Sequence, residues 1–398
     1  MANAFSLTHA SLDDVLRAEL DGLRERDLER TLRAVSRRRG VLVETSNGVA
    51  IDFSSNDYLG LASDPRLVDA AVRAMREHGA GAGASRLIAG NNPEHEALER
   101  AVADFFGVET ALTFSSGYAA NVGLIPALVG RGDVIFADAL NHASLIDGCR
   151  LSRATIHVYR HGDVDELASL LNRHRPAARR ALIVTDGLFS MDGDTAPLAQ
   201  ISELARGHDA WTFVDDAHAV GVVGENGRGS ASAAGIHGEI DVTVGTLGKA
   251  FGVAGAFVYG PATLAQYMLN RARSFVFSTA MMPAQAAASR EALRIVRAEP
   301  QRSERLLANA RCLRQTLRDA DLPPMGEDAG HIVPVSVGNQ AATMRVAASL
   351  ASRGYLVGAV RPPTVPEGTS RLRVTVSAAH EAEHIRGLVE TLALSLRG

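Results

Sequence analysis

Apolar residues recur at helical spacing near both ends of the chain and gather into short strand-length runs through its middle. Ser11-Leu-Asp-Asp14 reads as a helix start. Val15, Leu16, Leu20, Leu23, Leu28 and Leu32 then keep one apolar stripe, which predicts a long amphipathic helix ending near Gly40. Two short β-like runs follow at residues 41–44 and 49–53. Asp64-Pro65 opens a further helix, with proline in a first-turn position where its missing N–H costs nothing.

From about residue 93 to 260 the pattern alternates. Helical stretches at 93–106, 118–129, 144–151, 164–173 and 198–207 are separated by apolar strand-like runs at 110–114, 134–137, 155–159, 181–185, 211–214, 242–244 and 256–259. Alternating helix and strand predicts an α/β fold, a mostly parallel sheet with helices on both faces. Such sheets bind ligands at the carboxyl ends of their strands. After about residue 283 the rhythm changes to one long helical region at 284–319, a strand at 332–337, a helix at 341–351, strands near 355–360 and 372–376, and a last helix at 381–396. That is a smaller α+β unit. The expected division is an N-terminal helix with short strands (1–50), a large domain (51–283) and a small C-terminal domain (284–398).

Composition narrows the classes. The chain has 398 residues, is 46% hydrophobic and carries a net charge of -4, so nothing in its charge favours nucleic acid or an anionic membrane as partner. Arg37-Arg38-Arg39 reads as a solvated helix end. Cys149 and Cys312 are far apart, which argues against a disulfide scaffold or zinc site and fits a reducing cytoplasm. Each reads as a small core residue. No basic-then-apolar leader and no run long enough to span a membrane are visible.

The candidate chemistry follows the strand-like runs. In Thr246-Leu-Gly-Lys249-Ala-Phe-Gly252 a lysine lies between glycines after an apolar strand, as a Schiff-base lysine requires. Thr246 is placed to hydrogen-bond a cofactor phosphate. In Phe213-Val-Asp215-Asp216-Ala-His218, a carboxylate ends an apolar strand, a costly place unless it has a partner. Pyridoxal 5′-phosphate (PLP) needs such a carboxylate at its ring nitrogen, which suits Asp215, and His218 is within reach of the ring's phenolic oxygen. A metal pair is the competing reading, and no third ligand accompanies it. Ser116-Gly117-Tyr118 leads from a strand into a helix whose free N–H groups suit a phosphate. His142 sits at the same sheet edge, where an imidazole could stack on a cofactor ring. Ser190 could orient the phenolic oxygen or a substrate carbonyl, with Asp186 behind it.

Taken in order, Ser-Ser-Asn56-Asp-Tyr-Leu-Gly, Phe-Ser-Met-Asp-Gly-Asp, Val-Asp-Asp-Ala-His and Thr-Leu-Gly-Lys-Ala-Phe-Gly resemble the α-oxoamine synthases from about residue 20 to the C-terminus. The resemblance implies a fold-type-I, PLP-dependent acyltransferase and a homodimer with its site at the interface. It carries the stacking histidine to His142, the ring-nitrogen aspartate to Asp215, the phenolic-oxygen histidine to His218 and the Schiff-base lysine to Lys249. The arginine that grips the amino-acid carboxylate falls on Arg373, with Asn56 beside it. Thr279, in Phe277-Ser-Thr279, would reach the partner subunit's phosphate. Arg33 is assigned either to the acyl donor or to a surface ion pair.

Within that family, Met191-Asp-Gly-Asp194-x-Ala-Pro197-Leu198 and Val360-Arg-Pro-Pro-Thr-Val-Pro366 are most similar to the biotin-pathway member, which joins L-alanine to pimeloyl-CoA or a pimeloyl-carrier protein. Asp186, Tyr118 and Asn91-Asn92 depart from the usual pattern without removing a group the chemistry needs. The rival readings are glycine C-acetyltransferase, then serine palmitoyltransferase or 5-aminolevulinate synthase of the same family, and, in a different class, an aminotransferase on the same fold. A dinucleotide-binding protein lacks support, because no Gly-x-Gly-x-x-Gly follows the first strands.

Overall fold

The computed structural model describes residues 11–326, 330–362 and 364–397. Part of the Val360–Pro366 motif and the reading that residues 1–10 hold no leader lie outside the described residues. Seven strands form the large sheet, in the order Thr110–Phe114, Ala256–Gly260, Val242–Thr246, Trp211–Asp215, Ala181–Asp186, Val134–Asp138 and Thr155–Tyr159. Ala256–Gly260 runs antiparallel to both neighbours, and the remaining pairs are parallel. The α/β expectation holds, and all seven strands fall on their expected runs.

The inner strands read as near-continuous apolar runs because helices cover both faces. Alternate side chains of one strand enter different cores. Ile135 and Ala137 pack with Leu124, Leu145 and Cys149 on one face, while Val134 and Phe136 pack with Leu167, Leu171 and Ile201 on the other. Burying each large side chain contributes about 1.5–3 kcal/mol. Cys149 is a core residue as expected, and burial pushes its thiol up to about 12.

Four neighbouring parallel strands end on a polar residue: Asp138, Asp186, Asp215 and Thr246. All four are buried. Polar groups buried together at one sheet edge mark where the chemistry belongs.

A second sheet of six strands has the order Val35–Arg39, Leu42–Thr45, Gly48–Phe53, Tyr355–Val360, Arg371–Thr375 and Ile332–Ser336. Gly48–Phe53 pairs in parallel with Tyr355–Val360, so the N-terminal strands extend the sheet built by the C-terminal ones. This delivers Asn56 and Arg373, far apart in sequence, to neighbouring places.

Three expectations are corrected. The first helix spans Leu12–Glu25, not residues up to Gly40. Asp27 takes a positive φ of 55° and the Leu28 N–H returns to the Leu23 carbonyl, which closes the helix despite the continuing apolar stripe. Ser11 does cap it, accepting from the Asp14 N–H at 3.2 Å. Arg37-Arg38-Arg39 lies on the strand Val35–Arg39 rather than at a helix end, and Arg38 pairs with buried Asp52 at 2.8 Å. The helical region 284–319 is two helices, Pro283–Ala298 and Gln301–Asp319, broken at Glu299-Pro300 because proline cannot continue the hydrogen-bond ladder.

Candidate active site

Lys249 follows the strand Val242–Thr246, and its Nζ lies 3.4 Å from Thr246 Oγ1. Burial lowers its pKa, Asp215 and Asp186 pull the other way, and Arg373 adds to the depression. It is also the only lysine in the chain; the other 40 of the 41 basic residues are arginine. That count was open to inspection in the sequence and singles out Lys249 more sharply than its motif does.

Asp215 ends the neighbouring strand and is 4% exposed. Its Oδ1 accepts from the Ala217 N–H at 3.0 Å and its Oδ2 from Asn121 Nδ2 at 2.6 Å. Asp186 accepts from the His142 backbone N–H at 2.7 Å; burial, with Asp215 adding, raises its pKa well above the usual carboxylate range. His142 caps the helix Ala143–Ser152. Burial lowers its pKa, Asp215 opposes that, and Lys249 adds to it.

His218 is buried, and its Nδ1 meets the Tyr58 hydroxyl at 2.6 Å. Burial holds its pKa well below the ordinary histidine value. The Tyr58 hydroxyl also lies 3.1 Å from Asn56 Oδ1 and 3.4 Å from Arg373 Nη2. Arg373 donates through Nε to the Ser190 carbonyl and through Nη1 to Asn56 Oδ1 at 3.2 Å. Asn56, Arg373, His218 and Ser190 are thus one hydrogen-bonded cluster. Tyr58 at its centre was not singled out by sequence reasoning, nor was His331, which meets the Tyr58 ring edge-on at 4.3 Å. Both are fully buried, and both take their partners from distant segments.

Ser116 caps the helix Gly117–Leu128, accepting from the Ala119 N–H at 3.0 Å. A Cβ at Gly117 would lie 2.8 Å from Thr246 Cγ2, so only glycine lets the helix start sit against the lysine-bearing loop. The Tyr118 hydroxyl is occupied by Asp147 at the surface. Thr279 is exposed and forms a backbone bridge with Ser85. Arg33 lies in an exposed stretch between the first helix and first strand, and no contact among the described residues joins it to this cluster.

A shielded amine, a carboxylate held by two donors, and a glycine-fronted helix start fit the aldehyde, ring nitrogen and phosphate of PLP. Among the described residues no group of His, Cys, Asp and Glu is suited to a metal ion.

Comparison with known proteins decides the family. The sequence pattern of the aminotransferase class I and II family matches residues 49–392. The 8-amino-7-oxononanoate synthase of Anaeromyxobacter dehalogenans is 49% identical over 387 residues, covering 96% of both chains. Those of Geobacter sulfurreducens and Methylococcus capsulatus are 48% and 46% identical, over 94% and 93% of this chain. The chain belongs to the 8-amino-7-oxononanoate synthase family. Among solved structures, a serine palmitoyltransferase from S. paucimobilis with bound PLP–myriocin aldimine has a TM-score of 0.92 at 30% identity, covering 98% of this chain and 99% of that one. An 8-amino-7-oxononanoate synthase from Francisella tularensis has a TM-score of 0.75 at 28% identity, covering 87% and 98%. As a member of the 8-amino-7-oxononanoate synthase family, the chain is a PLP-dependent acyltransferase. No helix of the described residues is long and apolar enough to cross a membrane.

Proposed function

We propose that this chain joins L-alanine to a pimeloyl thioester, carried by CoA or a carrier protein, giving 8-amino-7-oxononanoate, CO2 and the free thiol. The observation that carries this reading is the meeting of a pKa-lowered Lys249 with Asp215 at one end of the site and a pre-positioned Arg373 at the other.

PLP, when bound, supplies an electron sink for the pair of electrons left at the alanine Cα. Lys249 would hold it, Asp215 would face its ring nitrogen, and His218 its phenolic oxygen. His142 would stack on the ring, and the helix start at Ser116, Gly117 and Tyr118 with Thr246 would take the phosphate. Arg373 is braced by the Ser190 carbonyl and by Asn56, so its planar fork is ready for the amino-acid carboxylate. That grip orients the Cα–H bond toward the Lys249 amine. Burial leaves this amine neutral at a lower pH than an ordinary lysine, which suits it to take the Cα proton. In the overall balance, Cα bonds to the thioester carbonyl carbon, the C–S bond breaks, and the Cα–carboxylate bond breaks with loss of CO2. A proton then returns to Cα.

The working form is a cytoplasmic homodimer in which Thr279 completes the partner's phosphate site. Leu12, Leu16 and Leu20 support this: they leave an apolar stripe 75%, 51% and 42% exposed on a helix with no buried residue. A second copy would cover it.

The test is thiol release by PLP-loaded protein, with L-alanine, glycine or serine each paired with pimeloyl and acetyl thioesters. Fast release is expected only for L-alanine with the pimeloyl thioester. Equal or faster release with glycine and acetyl-CoA would overturn the substrate assignment.

A further inference from the structure

The helix Gly117–Leu128 presents Ala120, Leu124 and Ile125 inward, and among them stands a wholly buried amide, Asn121. A buried amide is costly unless it is hydrogen-bonded. Asn121 Nδ2 lies 2.6 Å from Asp215 Oδ2 and 2.8 Å from Ser144 Oγ. A carboxylate accepts and does not donate, so the amide must turn its NH2 toward Asp215. The same NH2 gives its second hydrogen to the Ser144 hydroxyl. That hydroxyl keeps its own proton for His142 Nδ1, 2.7 Å away. The Ser144 backbone N–H also points at Nδ1, at 3.3 Å. Two donors converge on one ring nitrogen, so Nδ1 carries no proton and Nε2 does.

Packing fixes the chain of bonds. Gly148 lies where the helices 117–128 and 143–152 touch, and a Cβ there would fall 2.8 Å from the Asn121 carbonyl oxygen and 2.9 Å from Ile125 Cδ1. The glycine permits the approach that brings Ser144 to Asn121.

We propose that Asn121 and Ser144 are positioning residues that hold His142 as its neutral, Nε2-protonated tautomer while orienting Asp215, so that the imidazole stacked on the cofactor is a hydrogen-bond donor at Nε2 and not a base there. The role given to His142 rests on the reading of the site above; its tautomer does not. The charged and titratable groups facing it are Asp215, Lys249, His218 and Asp186, the last through the His142 backbone. Burial favours the uncharged ring, in agreement with the bonding pattern.

The test uses the full chain, PLP-free and labelled with 15N-histidine, with His142 assigned by its loss in His142→Gln. Wild type should show an unprotonated Nδ1 and a protonated Nε2 at neutral pH. Ser144→Ala should move the signals toward a mixture of tautomers and raise the titration midpoint of His142 by about one pH unit, the worth of one hydrogen bond to the neutral ring. Ser144→Thr should restore the wild-type pattern. Asn121→Ala should do to His142 what Ser144→Ala does, and also weaken PLP binding about tenfold as Asp215 loses a donor. A protonated Nδ1 in wild type would overturn the proposal, as would an unchanged spectrum and midpoint in both alanine variants. Absence of thiol release would refute the substrate reading while leaving the tautomer result standing.

Discussion

In the proposed reaction Lys249 and Arg373 divide the work at the scale of single residues, and their replacements should fail differently. Lys249→Ala should cut turnover by about 10³-fold or more, since both the covalent anchor and the base are lost. Its circular dichroism should match wild type. Arg373→Lys keeps the charge but loses the planar fork, so kcat/KM for the amino acid should fall about 100-fold, with the larger part in KM. An equal KM in the variant, read from steady-state kinetics, would contradict the carboxylate role. The candidates legible in the sequence were polar residues placed just after apolar strands: Lys249, Asp215, His218 and His142. Tyr58, Asn121 and His331 were not legible as parts of the site. Each is defined by a partner brought in from elsewhere, as when Tyr58 meets His218 across 160 positions. Asn121 did leave a trace, as the one amide among Ala, Gly, Leu and Ile on its helix.

Elements are tied together by contacts that can be weakened one at a time. His161 Nδ1 lies 3.0 Å from Asp138 and Nε2 2.6 Å from Asp194, joining the end of the strand Val134–Asp138 to the loop after Ser190. The hydrogen bonds to Asp138 and Asp194 raise its pKa to about 10. A folded pKa raised above the unfolded one, about 6.5, gives stability that is full below 6.5 and is lost as pH climbs toward 10. His161→Gln should therefore cost about 2 kcal/mol at pH 6 and much less near pH 10, by denaturant unfolding at each pH. Gly148→Ala should lower stability by about 1–3 kcal/mol, because its Cβ would meet helix backbone that cannot move aside. Strand positions were legible because inner strands of a covered parallel sheet are apolar throughout. The end of the first helix was not. Its apolar stripe runs on past Asp27, where a left-handed turn, invisible to periodicity, closes it.

At the scale of the whole molecule, the pairing of residues 51–53 with 355–357 is what brings Asn56 beside Arg373. No sequence pattern announces a parallel pairing across such a distance. The exposed stripe of Leu12, Leu16 and Leu20 gives the proposed dimer a testable face. Sedimentation should yield twice the chain mass for wild type, and Leu16→Glu with Leu20→Glu should shift the protein toward the single chain. A wild-type monomer with full activity would contradict an interfacial site.

The central claim is that the chemistry turns on Lys249, and a lysine-poor chain makes the test direct. PLP-loaded protein would be reduced with borohydride, which fixes a lysine–cofactor C=N bond as a secondary amine, then digested and mapped by mass. One pyridoxyl group per chain, on the peptide bearing the only lysine, is the predicted result. An unlabelled Lys249 peptide from a protein that still releases thiol with L-alanine and the pimeloyl thioester would contradict it.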